Sequence, residues 1–229
     1  MPDYRPVHDE TAFRELVQYA FSPEEGPFDP GSADSTHDVG DRRGVYDGDR
    51  LLAVCRHYEL PVELRGDVVD SGGVGSVASD PGRRREGNVR ALLAASLADY
   101  RDRGWRLASL WPFDVGFYAE MGWATVSKLV SWEIDPVDLD GLAAAPIADA
   151  ADTSPGDTAA DATSDPASGG RFERLTADDW QRLEPAQRAT HDTALAVRRN
   201  ESWWREFVFD GWNGTPYVYG WIVDGEVRG

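Results

Sequence analysis

Val77-Ala78-Ser79-Asp80-Pro81-Gly82-Arg83-Arg84-Arg85-Glu86-Gly87-Asn88-Val89 joins two kinds of periodicity. Before it, Val68–Ser79 has the texture of a strand. After it, Val89, Leu92, Leu93, Ser96, Leu97 and Tyr100 recur at i, i+3, i+4, i+7, i+8 and i+11, the stripe of an amphipathic helix over Asn88–Arg103. Gly104 fits the position just past its end. A strand that runs through an arginine-rich turn into a helix leaves the first helical N–H groups unpaired, with the positive end of the helix dipole behind them. Glycine lets a ligand approach the backbone closely, and arginine adds fixed charge. The turn therefore reads as an anion site suited to a pyrophosphate. No Gly-Lys-Ser/Thr follows, so it is not a Walker A loop, and it lacks the glycine spacing of a dinucleotide fingerprint. The bland alternative is a basic turn that balances neighbouring acids.

Upstream of the turn, Tyr4–Val7 reads as a short strand and Thr11–Phe21 as a helix with Phe13, Leu16, Val17 and Ala20 on one face. Ser22–Asp41 is a loop rich in Pro, Gly and Asp. Gly44–Tyr46 and Leu51–Leu60 flank Asp47-Gly48-Asp49, a hairpin signal, and Leu60-Pro61-Val62 bends the chain before the third strand, Val68–Ser79. Downstream, Leu107–Leu110 reads as a short buried strand. A short helix near Tyr118 follows, and then a last strand, Thr125–Ile134, rich in β-branched residues and Trp. Strand, helix, several antiparallel strands, helix, strand, short helix, strand: the class is α/β, an α+β mixed sheet with one strand-helix-strand crossover.

Composition narrows the setting. The 229 residues carry 41 acidic and 23 basic side chains, a net charge of -18, and Lys128 is the single lysine. Acid-rich, lysine-poor chains suit a high-salt cytoplasm, where a Debye length of about 3 Å screens self-repulsion. The other reading is an acidic surface that attracts cationic substrates. Phosphate neutralisation needs several basic contacts, so nucleic acid is not an expected partner. Cys55 is alone, so neither a disulfide framework nor a zinc pattern exists. No apolar run approaches the length of a membrane span. The charged start MPDYRPVHDE lacks a signal-peptide core, so a cytoplasmic location is expected.

Residues 136–170 change character. Apart from Leu142 and Ile147, the stretch Leu142–Gly170 is Ala, Asp, Thr, Ser, Pro and Gly with no aromatic and no basic residue, too little apolar area to offset ordering entropy. This stretch is expected to be a disordered linker between a first unit, 1–135, and a second, 171–229. The second unit repeats the first in outline. RFERLTADDWQRL parallels YRPVHDETAFREL, and PYVYGWIVDGEVRG repeats the hairpin pattern of GVYDGDRLLAV.

Ser109–Trp123, SLWPFDVGFYAEMGW, is aromatic-rich yet contains one proline and two glycines. By itself it reads as a core aromatic cluster in which a buried Tyr118 hydroxyl finds some partner. Its spacing from the arginine turn adds a second reading. Arg84-Arg85-Glu86-Gly87-Asn88-Val89 resembles the Arg/Gln-x-x-Gly-x-Gly/Ala acetyl-CoA loop of GNAT acetyltransferases, with Val89 in place of the last small residue. The wider pattern resembles the enhanced intracellular survival (Eis) branch of GNAT proteins. Val77-x-x-x-Pro81 precedes the arginines, Leu110-Trp111 follows, and Tyr118-Ala119-Glu120-Met121-Gly122-Trp123 closes the motif. The likeness covers about residues 44–135.

The resemblance implies a GNAT fold with the start of a second GNAT-like module, and transfer of an acetyl group from acetyl-CoA to a primary amine. Val77, Ala78, Ser79, Arg84, Arg85, Glu86, Gly87, Asn88, Val89, Arg90, Phe113 and Asp114 are implied to bind acetyl-CoA, and Tyr118 to be the general acid. Pantetheine is implied to lie between Val74–Ser79 and Leu107–Leu110. No metal is implied. The acceptor amine is unassigned, and a homo-oligomer is expected for the full-length form. The resemblance also implies a C-terminally truncated chain that lacks the family's terminal carboxylate, the base there. His8, His37, His57 and His191 have no motif context, and Cys55 reads as a small core residue, not an acyl carrier. A non-catalytic acetyl-CoA-binding or assembly module is the rival reading.

Overall fold

The computed structural model describes residues 3–31, 39–128, 133, 135, 147–148, 170–190, 195–210 and 216–229. In chain order the first elements are β1 (Asp3–Pro6), α1 (Glu10–Phe21), β2 (Asp41–Asp47), β3 (Arg50–Glu59), β4 (Val62–Leu64), β5 (Asp67–Val69), β6 (Ser71–Ser79), α2 (Asn88–Asp102), β7 (Leu107–Leu110) and α3 (Val115–Ala119). Then come β8 (Ile147–Ala148), β9 (Arg171–Arg174), α4 (Trp180–Thr190), β10 (Leu195–Val197), α5 (Glu201–Trp203), β11 (Tyr219–Val223) and β12 (Glu226–Val227). Two compact units divide the chain. One is Met1–Val126 with Ala194–Arg198, the other Ser127–Thr193 with Arg199–Gly229.

The first unit is a mixed α/β structure. Its five-stranded sheet has the order β1-β2-β3-β6-β7, antiparallel except for the last pair, β6 and β7. Asp9 starts α1 by accepting the Ala12 N–H at 3.0 Å, the bond that a helix's first turn lacks. Phe13 of α1 packs with Val7, Val54 and Ala78. Leu92, Leu93 and Tyr100 of α2 pack with Val45, Ala53, Cys55 and Val74. Successive strand side chains point to opposite faces, so Val54 and Cys55 show that α1 and α2 cover the two sides of the sheet.

The glycines of β6 serve that packing. The Tyr100 ring lies directly over Gly72 and its hydroxyl donates to the Gly73 carbonyl at 2.7 Å. From the other face, a Cβ on Gly75 would stand 2.7 Å from the Tyr58 ring. Two tyrosines thus lie flat on one strand because the strand has no side chains under them.

The structure divides the expected strand Val68–Ser79 in two. Arg65 (φ 55°) and Gly66 (φ 91°) form a tight turn, so that β5 pairs back on β4 before the chain enters β6. β10 joins β4 on its other side and completes a three-stranded sheet within the first unit. β7 has the expected bounds but is partly exposed rather than buried. Of the expected strand Thr125–Ile134, residues 125–128 are not in a strand, and 129–132 and 134 lie outside the described residues.

In the second unit, β12-β11-β9-β8 form a sheet whose core holds Leu175, Ile222 and Val227. Thr176 and Asp179 make reciprocal capping bonds at the turn that leads into α4, as the Thr/Asp start of that segment leads one to expect. Most of the expected linker lies outside the described residues. Ile147–Ala148 within it pairs in parallel with Phe172–Glu173.

Candidate functional site

The site begins where β6 and β7 stop pairing. Their register runs from Ser71 opposite Leu107 to Val74 opposite Leu110, and Gly75–Ser79 continues alone on that side. On its other side β6 stays bonded to β3, with Val54 opposite Ala78 and Ala53 opposite Ser79. A bulge interrupts that ladder between Val54 and Arg56, and Ser76 at the bulge has φ 51°. Asp80 N–H donates to the Leu52 carbonyl at 2.8 Å, so the alternation of an antiparallel ladder turns the Ser79 N–H the other way, towards the unpaired side of β6; Val77 lies within the bulge.

The arginine turn follows at the end of β6. Asp80 holds it in shape: one carboxylate oxygen accepts the Gly82 N–H at 2.8 Å, and the other accepts Arg50 Nη2 at 2.6 Å. Those bonds keep the Asp80 carboxyl below its usual range even though burial pulls the other way. Arg83 is committed within the chain, to Glu86 at 2.7 Å and Asp47 at 3.7 Å, and its carbonyl accepts Asn88 Nδ2 at 3.0 Å. Arg84, Arg85 and Arg90 are exposed and form no ion pair with another described residue. Arg84 lies over the Tyr19 ring at 5.4 Å. Arg85 (φ 64°) and Gly87 (φ 81°) both have positive φ, which turns the chain sharply into α2. Gly87 is the N-cap of α2 without a side-chain cap, so the first-turn N–H groups of Asn88, Val89 and Arg90 remain available.

Tyr118 belongs to the core cluster that also holds Val74 and Cys55 and against which Val77 and Leu110 pack. It is 3% exposed, and the rings of Phe113 (5.6 Å), Phe117 (5.3 Å) and Trp123 (6.3 Å) meet it edge to face. Burial raises the Tyr118 pKa, with Cys55 adding to the shift, so the hydroxyl keeps its proton at neutral pH. Its hydroxyl has no hydrogen-bond partner among the described residues.

The structure brings Val77, Ser79 and Tyr118 to the gap, and Arg84, Arg85, Gly87, Val89 and Arg90 to the turn beside it. Ala78 faces the α1 core, Glu86 is held by Arg83, and the Asn88 side chain is buried against the turn. Phe113 is 72% exposed, and Asp114 caps α3. Sequence reasoning missed Ser76, Asp80, Arg50 and Tyr19. The Asp-Pro-Gly that follows a strand was a usable signal for Asp80, whereas Arg50 and Tyr19 reach the turn only through the fold. A phosphate-bearing thioester suits these residues: helix-start N–H groups, and guanidiniums that form no ion pair among the described residues, follow directly on the unpaired edge of β6. Among the described residues no group of His, Cys, Asp and Glu is placed to hold a metal ion, and no helix is long and apolar enough to cross a membrane.

The first unit is thus a mixed sheet with an opened parallel pair that leads through the arginine turn into α2. The acetyltransferase (GNAT) domain family matches residues 4–126, and the chain belongs to that family. An "Uncharacterized N-acetyltransferase" of Streptomyces griseus is 27% identical over 207 residues, which cover 84% of this chain and 44% of that protein. The chain thus spans less than half the length of that curated relative. A "Probable N-Acyltransferase" of Enterococcus faecalis V583 superposes with a TM-score of 0.62 at 16% identity over 99% of this chain and 53% of that one, a likeness of fold. Eis1 from Mycobacterium abscessus aligns at 22% identity with a TM-score of 0.41, over 52% of this chain and 30% of that one.

Proposed function

We propose that the chain carries an N-acetyltransferase site that moves an acetyl group from acetyl-CoA to a primary amine by direct transfer. The observation that carries this reading is the parting of β6 and β7 at Val74 and Leu110 with Tyr118 buried beside it. Acetyl-CoA, the co-substrate of GNAT domains, supplies an acyl thioester on a pyrophosphate-bearing arm. Arg84, Arg85, Arg90 and the first turn of α2 bind the phosphate oxygens. The Val77 and Ser79 N–H groups donate to the carbonyl oxygen as negative charge develops on it. As the amine nitrogen bonds to the carbonyl carbon and the C–S bond breaks, Tyr118, kept protonated by burial, gives its proton to the departing sulfur; the proton that the nitrogen sheds passes to solvent, with no side chain assigned as base. Holding the amine and the carbonyl together contributes much of the acceleration.

The same reading makes the chain Eis-like. Residues 171–229 then form part of a second GNAT-like module, 136–170 the linker, and the acidic surface an adaptation to salt in a cytoplasm. The repeated strand, capped helix and hairpin of the second unit support the module.

Tyr118→Phe tests the acid. It deletes one proton donor and keeps the ring contacts, so melting temperature and CoA affinity should hold while thiol release with mixed polyamine and aminoglycoside acceptors falls by roughly 10²–10⁴. Full turnover in the Phe variant overturns the role of Tyr118. CoA binding without thiol release from the unaltered chain leaves a binding module instead of an enzyme.

A further inference from the structure

We propose that Asp114 is a positioning residue for Tyr118: its carboxylate fixes the short helix that presents the Tyr118 hydroxyl, rather than contacting the cofactor. The inference rests on the reading of Tyr118 above and deepens it.

α3 is five residues long, Val115-Gly116-Phe117-Tyr118-Ala119. A helix of that length does not persist by itself, and Gly116 and Val115 are poor helix formers. Something outside its own ladder must hold it. At one end the Asp114 carboxylate accepts the Phe117 N–H at 2.9 Å, an N-cap bond to the third helical residue. At the other, the Tyr118 carbonyl accepts the N–H groups of Met121 at 2.9 Å and Trp123 at 3.2 Å as the chain reverses through Gly122 (φ 90°). Tyr118 is the next residue, and its own N–H is accepted by the Asp114 carbonyl at 3.4 Å, so Asp114 bonds to both backbone N–H groups around the tyrosine. The carboxylate leans over Gly116, where an added Cβ would stand 3.2 Å from Asp114 Oδ1.

Electrostatics favour this role over a cofactor contact. A carboxylate is favourable at a helix start and unfavourable beside phosphate oxygens. The free guanidiniums that suit a phosphate are on the other segment, at Arg84, Arg85 and Arg90. Misplacing a reacting group by about 1 Å costs on the order of 10² in rate, so loss of the cap is expected to be read in turnover, not in affinity.

Asp114→Ala, Asp114→Asn and Asp114→Ala/Tyr118→Phe decide it, each measured for thiol release, CoA affinity and hydrogen exchange across residues 112–121. Asp114→Ala should lower turnover by roughly tenfold or more, leave CoA affinity within about threefold, and speed exchange at Phe117. Asn caps a helix as well as Asp does and should restore most of the loss. In the Phe background, Asp114→Ala should cost no further turnover, because its effect runs only through the Tyr118 hydroxyl. Unchanged exchange and turnover in Asp114→Ala overturn the inference, as does a tenfold loss of CoA affinity that Asn does not restore. Should Asp114→Ala fail to fold, Asp114→Ser, a shorter cap, takes its place. If Tyr118→Phe keeps full turnover, only the acid role fails, and exchange at Phe117 still decides whether Asp114 holds the helix.

Discussion

Val74 and Leu110 are the last paired residues of β6 and β7, and beyond them the two strands part. The opening is built into the backbone. β6 stays bonded to β3 as far as Ser79, and the bulge at Ser76 turns it away from β7 without freeing it from the sheet. Beyond Val74 the β7 side of β6 has no strand partner, and Gly75–Ser79 presents a free backbone edge there.

The three consecutive arginines should differ in effect. Arg84→Ala/Arg85→Ala removes two unpaired guanidiniums and should weaken CoA binding at least tenfold, about 1.4 kcal/mol. Arg83→Ala breaks a surface ion pair with Glu86 and should change affinity by no more than about threefold. Calorimetry at fixed salt separates the cases, and equal losses at all three positions would refute the division.

His57 should make stability fall in mild acid. It is buried beneath Tyr100, with the Tyr4 hydroxyl 3.4 Å from Nε2 and the Asp99 carboxylate 3.6 Å from Nδ1. Burial outweighs Asp99, and Arg43 and Arg103 add to it, so the pKa drops to about 4 against an ordinary 6.5. The unfolded chain therefore binds a proton more readily than the folded one. The stability is fully present above pH 6.5 and is lost as pH falls towards 4, by about 3 kcal/mol at most. Urea midpoints between pH 7 and 4 should show this slope, and His57→Gln should flatten it.

Gly72→Ala should destabilise the fold although the change is one methyl group. The added Cβ would enter the Tyr100 ring, which is fixed by its bond to Gly73 and by its packing on His57. Overpacking of this kind costs about 1–3 kcal/mol. A melting temperature equal to that of the parent would mean that α2 shifts freely. Gly104→Ala is the comparison: nothing lies near its Cβ, so only its φ of 81° is strained.

Salt should raise the melting temperature. The net charge of -18 repels itself at low ionic strength, and molar salt shortens the Debye length to about 3 Å. The surface ion pairs lost to screening contribute little each. A melting temperature that does not move between low and molar salt would remove the salt-adaptation reading and favour attraction of cationic substrates.

The sequence by itself determined the elements whose causes are local. The stripe from Val89 to Tyr100 made α2, Asp47-Gly48-Asp49 made the β2–β3 hairpin, and the Asp-Pro-Gly and arginine run located the turn between β6 and α2. Each of these depends on residues within one or two turns of one another, where propensity and capping act. Only the tertiary structure decided where β6 leaves β7, because strand divergence depends on a bulge against Cys55 and on a partner more than thirty residues away. It also decided which arginines of the turn form ion pairs among the described residues. Asp47 and Arg50 reach the turn from the β2–β3 hairpin, and no local pattern announces such a pairing. Asp114 shows the same limit: the sequence suggested only a ligand contact through the family resemblance, and its helix-capping bond became visible once the Phe117 N–H was placed.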